Sequence, residues 1–180
     1  MKNLYFLRHG MSEGNKADYW SGVHNTPLAP EGHLQAQEAA AKARQQGLVF
    51  DIIISSPRDR AHHTAKYVAQ AVGYPEDKIQ LHEGFGERNF GVLEGKQNKE
   101  VSRIYIEDET ILDTIEGAER LVDLQWRAQQ MLDYLNTLPH DTILVVGHGN
   151  FARAFRRAIN KQPLHERGER FKNGEIVKLI

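Results

Sequence analysis

Residues 142–150 read TILVVGHGN. Thr142 to Gly147 is a short apolar run rich in β-branched side chains, which predicts a strand. A glycine–histidine–glycine step ends it. Asn150 then stands where a helix running to about Ile159 needs a cap. A strand, an abrupt stop and a new helix form one strand–helix unit; two other strands stop as abruptly, and the second of them is again followed by a helix. Leu4 to Leu7 is a short apolar run that ends at Arg8-His9-Gly10 and reads as a buried strand. Asp51 to Ser55 (DIIIS) is a strand followed by Ser56-Pro57, with Ser as N-cap and Pro at the first helical position. That helix extends to about Val72 and stops at Gly73-Tyr74-Pro75.

The remaining segments fill the pattern. Pro30 to Gln46 is rich in Ala and Gln and closes at Gly47, a helix with a glycine stop. Ile79 to His82 is a weak strand. Gly84 to Gly95 holds four glycines and reads as a loop. Val101 to Thr114 reads as a helix within an insertion. Ala118 to Leu138 places Leu121, Leu124, Ala128, Met131, Leu132 and Leu135 at helical spacing, so one face is core. Glu175 to Ile180 is a last strand. Strands alternating with helices predict an α/β fold, a three-layer α/β/α sandwich with a mostly parallel central sheet. A single domain over 1–180, with a small cap-like insertion at about 92–120, is expected.

Composition narrows the function classes. The chain has 180 residues, 40% hydrophobic and 26% charged, with 23 basic against 24 acidic residues and a net charge of −1. That balance provides no global attraction to nucleic acid or membrane. Cysteine is absent, which removes disulfides, thiolate catalysis and Cys-based zinc sites. The apolar run near the N-terminus is too short for the core of a signal peptide, and no segment approaches the roughly 20 apolar residues of a membrane helix. A soluble cytoplasmic protein is expected. Its oligomeric state is left open.

Ligands of parallel sheets bind beyond the carboxyl ends of the strands. Three such ends carry unusual chemistry here: Arg8-His9-Gly10, Ser55-Ser56-Pro57-Arg58-Asp59-Arg60 and Gly147-His148-Gly149-Asn150. Neighbouring strands would bring two imidazoles, two or three guanidiniums and two helix N-termini to one spot. Such a spot repels cations and suits an oxyanion. Nearby guanidiniums also disfavour imidazolium, which leaves a neutral, nucleophilic histidine. A phosphate monoester further needs its leaving oxygen protonated, and Glu87 in the glycine-rich loop is the candidate acid. That role requires a carboxyl that holds its proton well above about 4.3, an effect a bound phosphate dianion would promote.

Taken singly, each feature has a plainer explanation. Arg-His-Gly and Gly-His-Gly can merely end a strand, Arg60 can be a surface residue and Glu87 a solvated one. Their joint occurrence at three strand ends favours a site. His24, His33, His82, His140 and His165 read as surface or structural residues. His62 and His63 are adjacent, so they face different ways and make a poor metal pair. No metal and no cofactor is expected.

These residues, in this order, resemble the histidine phosphatase superfamily, whose fold is also called phosphoglycerate mutase-like. The matching motifs are LRHGMSEGN at 7–15, SSPRDRAHHTA at 55–65, GERNFGVLEG at 86–95 and VVGHGN at 145–150, with NTPLAPEGHLQA at 25–36 between them. The resemblance implies a phosphorylated nucleophile at His9, phosphate ligands at Arg8, Arg60 and His148, and a proton donor at Glu87. It places Asn15, Ser21, Gly22 and Asn150 at substrate-contacting positions of the mutase branch, and Gly149 is grouped with them. Met11 and Arg58 depart from common family residues. Ala29 replaces the usual Ser or Thr cap, at a cost of about 1 kcal/mol. A mutase lysine is out of register, at Lys96 or Lys99, and the paired-arginine stretch that mutases use for a second phosphate is missing.

The expected function is therefore phosphomonoester hydrolysis through phosphohistidine, on a small phosphorylated metabolite. Phosphoglycerate mutase-type transfer is the alternative. A remote one is a serine hydrolase, since Gly10-Met11-Ser12-Glu13-Gly14 matches the G-x-S-x-G elbow. That elbow would follow the first strand and leave Arg8, Arg60 and Glu87 without roles. Gly91 to Lys96 is one residue short of a P-loop.

Overall fold

The computed structural model of the protein describes residues 2–166 and 168–180. The strands are β1 (Asn3–Arg8), β2 (Ile52–Ser55), β3 (Gln80–Leu81), β4 (Thr142–Gly147) and β5 (Ile176–Lys178). The helices are α1 (Glu13–Lys16), α2 (Pro30–Gln45), α3 (Asp59–Val72), α4 (Lys99–Glu107), α5 (Leu121–Thr137) and α6 (Gly149–Asn160). The sheet runs β3-β2-β4-β1-β5. Its first four strands are parallel, and β5 pairs antiparallel with β1.

Side-chain alternation splits the core into two layers. Leu4, Phe6, Ile52, Ile54, Ile143 and Val145 face α5 and α6, where they pack on Leu124, Phe151 and Phe155. Leu7, Ile53, Leu144 and Val146 face α2 and α3. Those two helices present Ala39, Ala43, Ala61, Ala65 and Ala69, small side chains that let them approach each other and the sheet closely. The result is the α/β/α sandwich.

A third cluster lies away from the sheet. Trp20, Phe90, Leu93, Tyr105 and Leu112 pack together, with Trp20 edge-on to Phe90 at 4.8 Å and to Tyr105 at 5.7 Å. It fastens α4 and the 3-10 turn Glu109–Thr114 to the loop after α1. Among the described residues, no helix is long and apolar enough to cross a membrane.

Several local expectations are corrected. Val101 to Thr114 is not one helix: α4 ends at Glu107, Asp108 is extended, and its carboxylate accepts from the Thr110 N–H at 2.8 Å to start the 3-10 turn. The helix expected from Ala118 begins at Leu121. The last strand covers only Ile176–Lys178. The 84–95 loop contains two 3-10 turns, Glu83–Phe85 and Gly91–Leu93. Helix α1 was not expected; it rests on a capping box in which Ser12 and Asn15 satisfy each other's backbone N–H groups. Ser56 does not cap α3. Arg58 is extended and takes the N-cap position without a side-chain bond, and the Asn25 amide oxygen accepts from the Asp59 N–H at 2.9 Å. Nor does Asn150 cap α6, whose N-cap is His148.

Candidate active site

Strand register brings the two histidines together. Arg8 lies opposite Gly147 in the β1–β4 ladder, so the residues that follow, His9 and His148, leave the sheet side by side. Their ring centroids are 5.0 Å apart, and both side chains are buried. His9 Nδ1 sits 2.6 Å from the Gly10 carbonyl oxygen. A carbonyl only accepts, so Nδ1 carries the proton and Nε2 keeps its lone pair. His148 Nε2 meets Ser56 Oγ at 2.8 Å; the Ser56 hydroxyl that was expected to cap a helix holds an imidazole instead.

The cradle around His9 tolerates no added carbon. A Cβ on Gly10 would lie 2.2 Å from the Gly32 carbonyl oxygen, because the start of α2 packs directly on the chain after His9. The Gly10 N–H donates to Thr64 Oγ1 at 3.1 Å, which ties the same segment to α3.

Two guanidiniums flank the rings. Arg60 is 1% exposed, and its Nη atoms donate to the carbonyls of Ser21, Gly22 and His24 at 2.9–3.0 Å. Burial lowers its pKa to about 10, and Arg58 and Arg8 push the same way while Glu87 and Glu94 oppose. Arg8 donates to the Phe171 carbonyl at 2.7 Å, and its Nε is buried without a partner among the described residues. A Cβ at Gly149 would come within 3.2 Å of the Arg8 guanidinium, so glycine keeps that approach open.

Both imidazoles are held neutral. Burial is the main cause, and the Arg60 charge is the next for each; both pKa values fall well below 6.5. The unfolded chain binds protons at these histidines below about pH 6.5, while the folded chain refuses them. Their contribution to stability is thus complete above that pH and is lost as pH falls from there toward the folded values. Two such groups add a slope of up to about 2.7 kcal/mol per pH unit. Urea titrations between pH 7.5 and 5.5 should show it, with His148→Asn losing about half. A wild-type profile no steeper than that of the variant would contradict it.

Glu87 is placed by backbone. Its carboxylate accepts from the N–H groups of Asn150 and Phe151 at 3.1 Å each and of Arg88 at 2.8 Å. It therefore caps α6, the task the sequence assigned to Asn150. Asn150 Oδ1 instead accepts from Tyr105 Oη at 2.7 Å and Arg153 Nη2 at 2.5 Å. Asn15 lies with Asn150 and Gly149 in a cleft of about 300 Å3 beside Arg8. The arrangement can hold a tetrahedral oxyanion against fixed cations, with a lone-pair nitrogen and a carboxyl within one site. Among the described residues no cluster of three or more metal-ligating side chains occurs.

Comparison with known proteins gives the family and the fold. The profile of the histidine phosphatase superfamily (branch 1) matches residues 4–179. The chain belongs to that superfamily. A 2,3-bisphosphoglycerate-dependent phosphoglycerate mutase of Mesorhizobium japonicum is 31% identical over 189 residues, covering 99% of this chain and 86% of that protein. Its counterpart in Brucella canis is 30% identical, covering 88% and 82%. Among solved structures, a mycobacterial glucosyl-3-phosphoglycerate phosphatase superposes with a TM-score of 0.84 at 22% identity, covering 99% of this chain and 92% of that one. An Entamoeba histolytica phosphoserine phosphatase variant in complex with phosphoserine gives 0.77 at 26% identity, covering 98% and 89%.

This histidine phosphatase superfamily member also uses residues that sequence reasoning did not single out. The Glu94 carboxylate accepts from four backbone N–H groups, those of Gly22, Val23, His24 and Phe90, at 3.0–3.1 Å. It fixes the loop whose carbonyls hold Arg60. An acidic residue between two glycines of the 91–95 run was the available signal. Tyr105 and Arg153, which orient Asn150, carried none: Tyr105 lies 45 positions from Asn150, and Arg153, although only three residues from it, is held in place by Tyr105, 48 positions away.

Proposed function

We propose that this protein hydrolyses phosphomonoesters through a phosphohistidine at His9. The observation that carries the reading is the pair of neutral, buried imidazoles between Arg8 and Arg60, with the His9 Nε2 lone pair free. The substrate phosphoryl group docks against Arg8, Arg60, His148 and the start of α6. Nε2 attacks phosphorus, the P–O bond to the alcohol breaks, and the Glu87 carboxyl gives its proton to the departing oxygen. Water then attacks the phosphohistidine, its proton passes to the Glu87 carboxylate, and the N–P bond breaks. Phosphate leaves and His9 is neutral again. Fixed cations balance the charge on the transferring oxygens in both steps, which is the larger part of the acceleration. Ser21 and Gly22 serve by positioning Arg60, and Asn15, Gly149 and Asn150 border the leaving group. Segment 92–120 acts as a cap on a single catalytic domain.

Glu87→Gln tests the acid role. It should lower kcat for an alkyl phosphate by about 10²–10³-fold, and for p-nitrophenyl phosphate by far less, since nitrophenolate leaves without a proton. Equal losses on both substrates would remove Glu87 from proton transfer.

Phosphoglycerate mutase transfer is the second reading, favoured by the names of the relatives at 30–31% identity. Against it, α4 lends Ser102, Tyr105 and Ile106 to the cleft, so its cations, Arg8, Arg153 and Arg170, do not come from the paired-arginine stretch that mutases use. Incubation with 3-phosphoglycerate and a bisphosphoglycerate primer separates the two. Release of inorganic phosphate is expected; isomerisation without release would overturn hydrolysis.

A further inference from the structure

Two clefts border the site, and their charges differ. The one beyond Glu87, of about 310 Å3, has Arg58 and Arg127 against Glu83, Glu87 and Glu119. Its arginines are already paired, Arg58 with Glu83 at 3.2 Å and Arg127 with Glu119 at 2.8 Å. The other, of about 300 Å3, has Arg8, Arg153 and Arg170 against a single carboxylate, Asp18. Only this second cleft has cationic charge to spare.

The cations there are built in. Arg153 is 6% exposed, and its Nε is buried with no partner among the described residues. Its Nη2 is fixed by Glu109 at 2.5 Å, but Glu109 also neutralises Arg157 at 2.9 Å, so the trio keeps one positive charge in excess. Arg170 is exposed and makes no ion pair among the described residues. Its backbone is nonetheless anchored, because the next residue, Phe171, is 2% exposed, packs on Phe6 at 5.5 Å and gives its carbonyl to Arg8. A guanidinium one residue from a core anchor costs less entropy to engage than one on a free tail. Arg170 lies outside the four motifs that carry the family resemblance.

Resting on the phosphatase reading, we infer that this cleft receives a second anionic group of the substrate, with Arg170 and Arg153 as its ligands. Arg8 borders both the reacting phosphate and this cleft. The two anionic groups therefore sit close together, and the substrate is a small phosphomonoester that is also an acid. A carboxylate and a second phosphate share the chemistry that forked guanidiniums recognise.

Matched substrates provide the test. 3-Phosphoglycerate and glycerol 3-phosphate differ only by a carboxylate in place of a hydroxymethyl group. Fructose 1,6-bisphosphate and fructose 6-phosphate do the same for a second phosphate. The charged member of at least one pair should have a kcat/KM about tenfold or more higher, mainly through KM. Which pair shows it identifies the anion. Arg170→Ala should shrink that ratio about tenfold, and Arg170→Lys should restore part of it. Calorimetric binding of the same ligands to His9→Ala reads the subsite without turnover. Equal affinities within both pairs, or a ratio unmoved by Arg170→Ala, would overturn the subsite. Failure to hydrolyse any of these or p-nitrophenyl phosphate would overturn the phosphatase reading instead, and the binding arm would still decide the subsite.

Discussion

His9→Ala should lower kcat about 10⁴-fold or more, equivalent to roughly 5.5 kcal/mol of barrier, because it removes the atom to which the phosphoryl group is transferred. Arg8, Arg60 and His148 remain to bind phosphate, so substrate affinity should fall much less than turnover. Acid-labile phosphate trapped on the wild-type protein and absent from the variant would identify the intermediate. Ser12→Ala is the informative comparison. Ser12 is fully buried, and its Oγ accepts from the Asn15 N–H as the cap of α1. Losing it should cost about 1 kcal/mol of stability and leave kcat within about threefold. A dead Ser12→Ala beside an active His9→Ala would reverse the assignment and restore the serine hydrolase.

The largest effect on stability should come from Glu109→Gln. That carboxylate is 7% exposed and lies between Arg153 and Arg157, which are themselves buried. Its carbonyl oxygen also accepts from Arg88 Nη1 at 2.9 Å. Removing one negative charge leaves two guanidiniums out of water with no other ion-pair partner among the described residues, a loss of about 3–5 kcal/mol. The expected result is a large drop in the urea midpoint. Pairing the change with Arg157→Met should recover a good part of it, since the pair of substitutions replaces an unbalanced charge by apolar packing. A loss below about 1 kcal/mol in the single variant would mean that the cluster is not sealed from solvent. The same trio orients Asn150 through Arg153, so KM should rise in the variant as well.

The strand ends were legible because they are local. Hydrophobic runs at 4–7, 51–55 and 142–147 stop abruptly at charged or glycine-rich residues, and strand periodicity with breakers expresses that directly. Parallel pairing of β1 with β4 then needed only the rule that strand–helix–strand units wind into one sheet. The helix starts were less legible. Ser56 and Asn150 have the right chemistry for caps, yet their side chains serve His148 and the Tyr105–Arg153 pair. The true cap of α6 is Glu87, more than 60 positions away. No window of neighbouring residues contains such a partner.

By itself the sequence determined the α/β alternation, the family, and the set of side chains at the strand ends. All of that resides in short runs and their order. Only the tertiary structure decided which polar group satisfies which. It turned Glu94 and the 21–24 carbonyls into a holder for Arg60, and it left one cleft cationic and the other neutralised. Those outcomes depend on distances between segments far apart in the chain, where burial makes every unpaired donor or charge costly and so selects one set of partners.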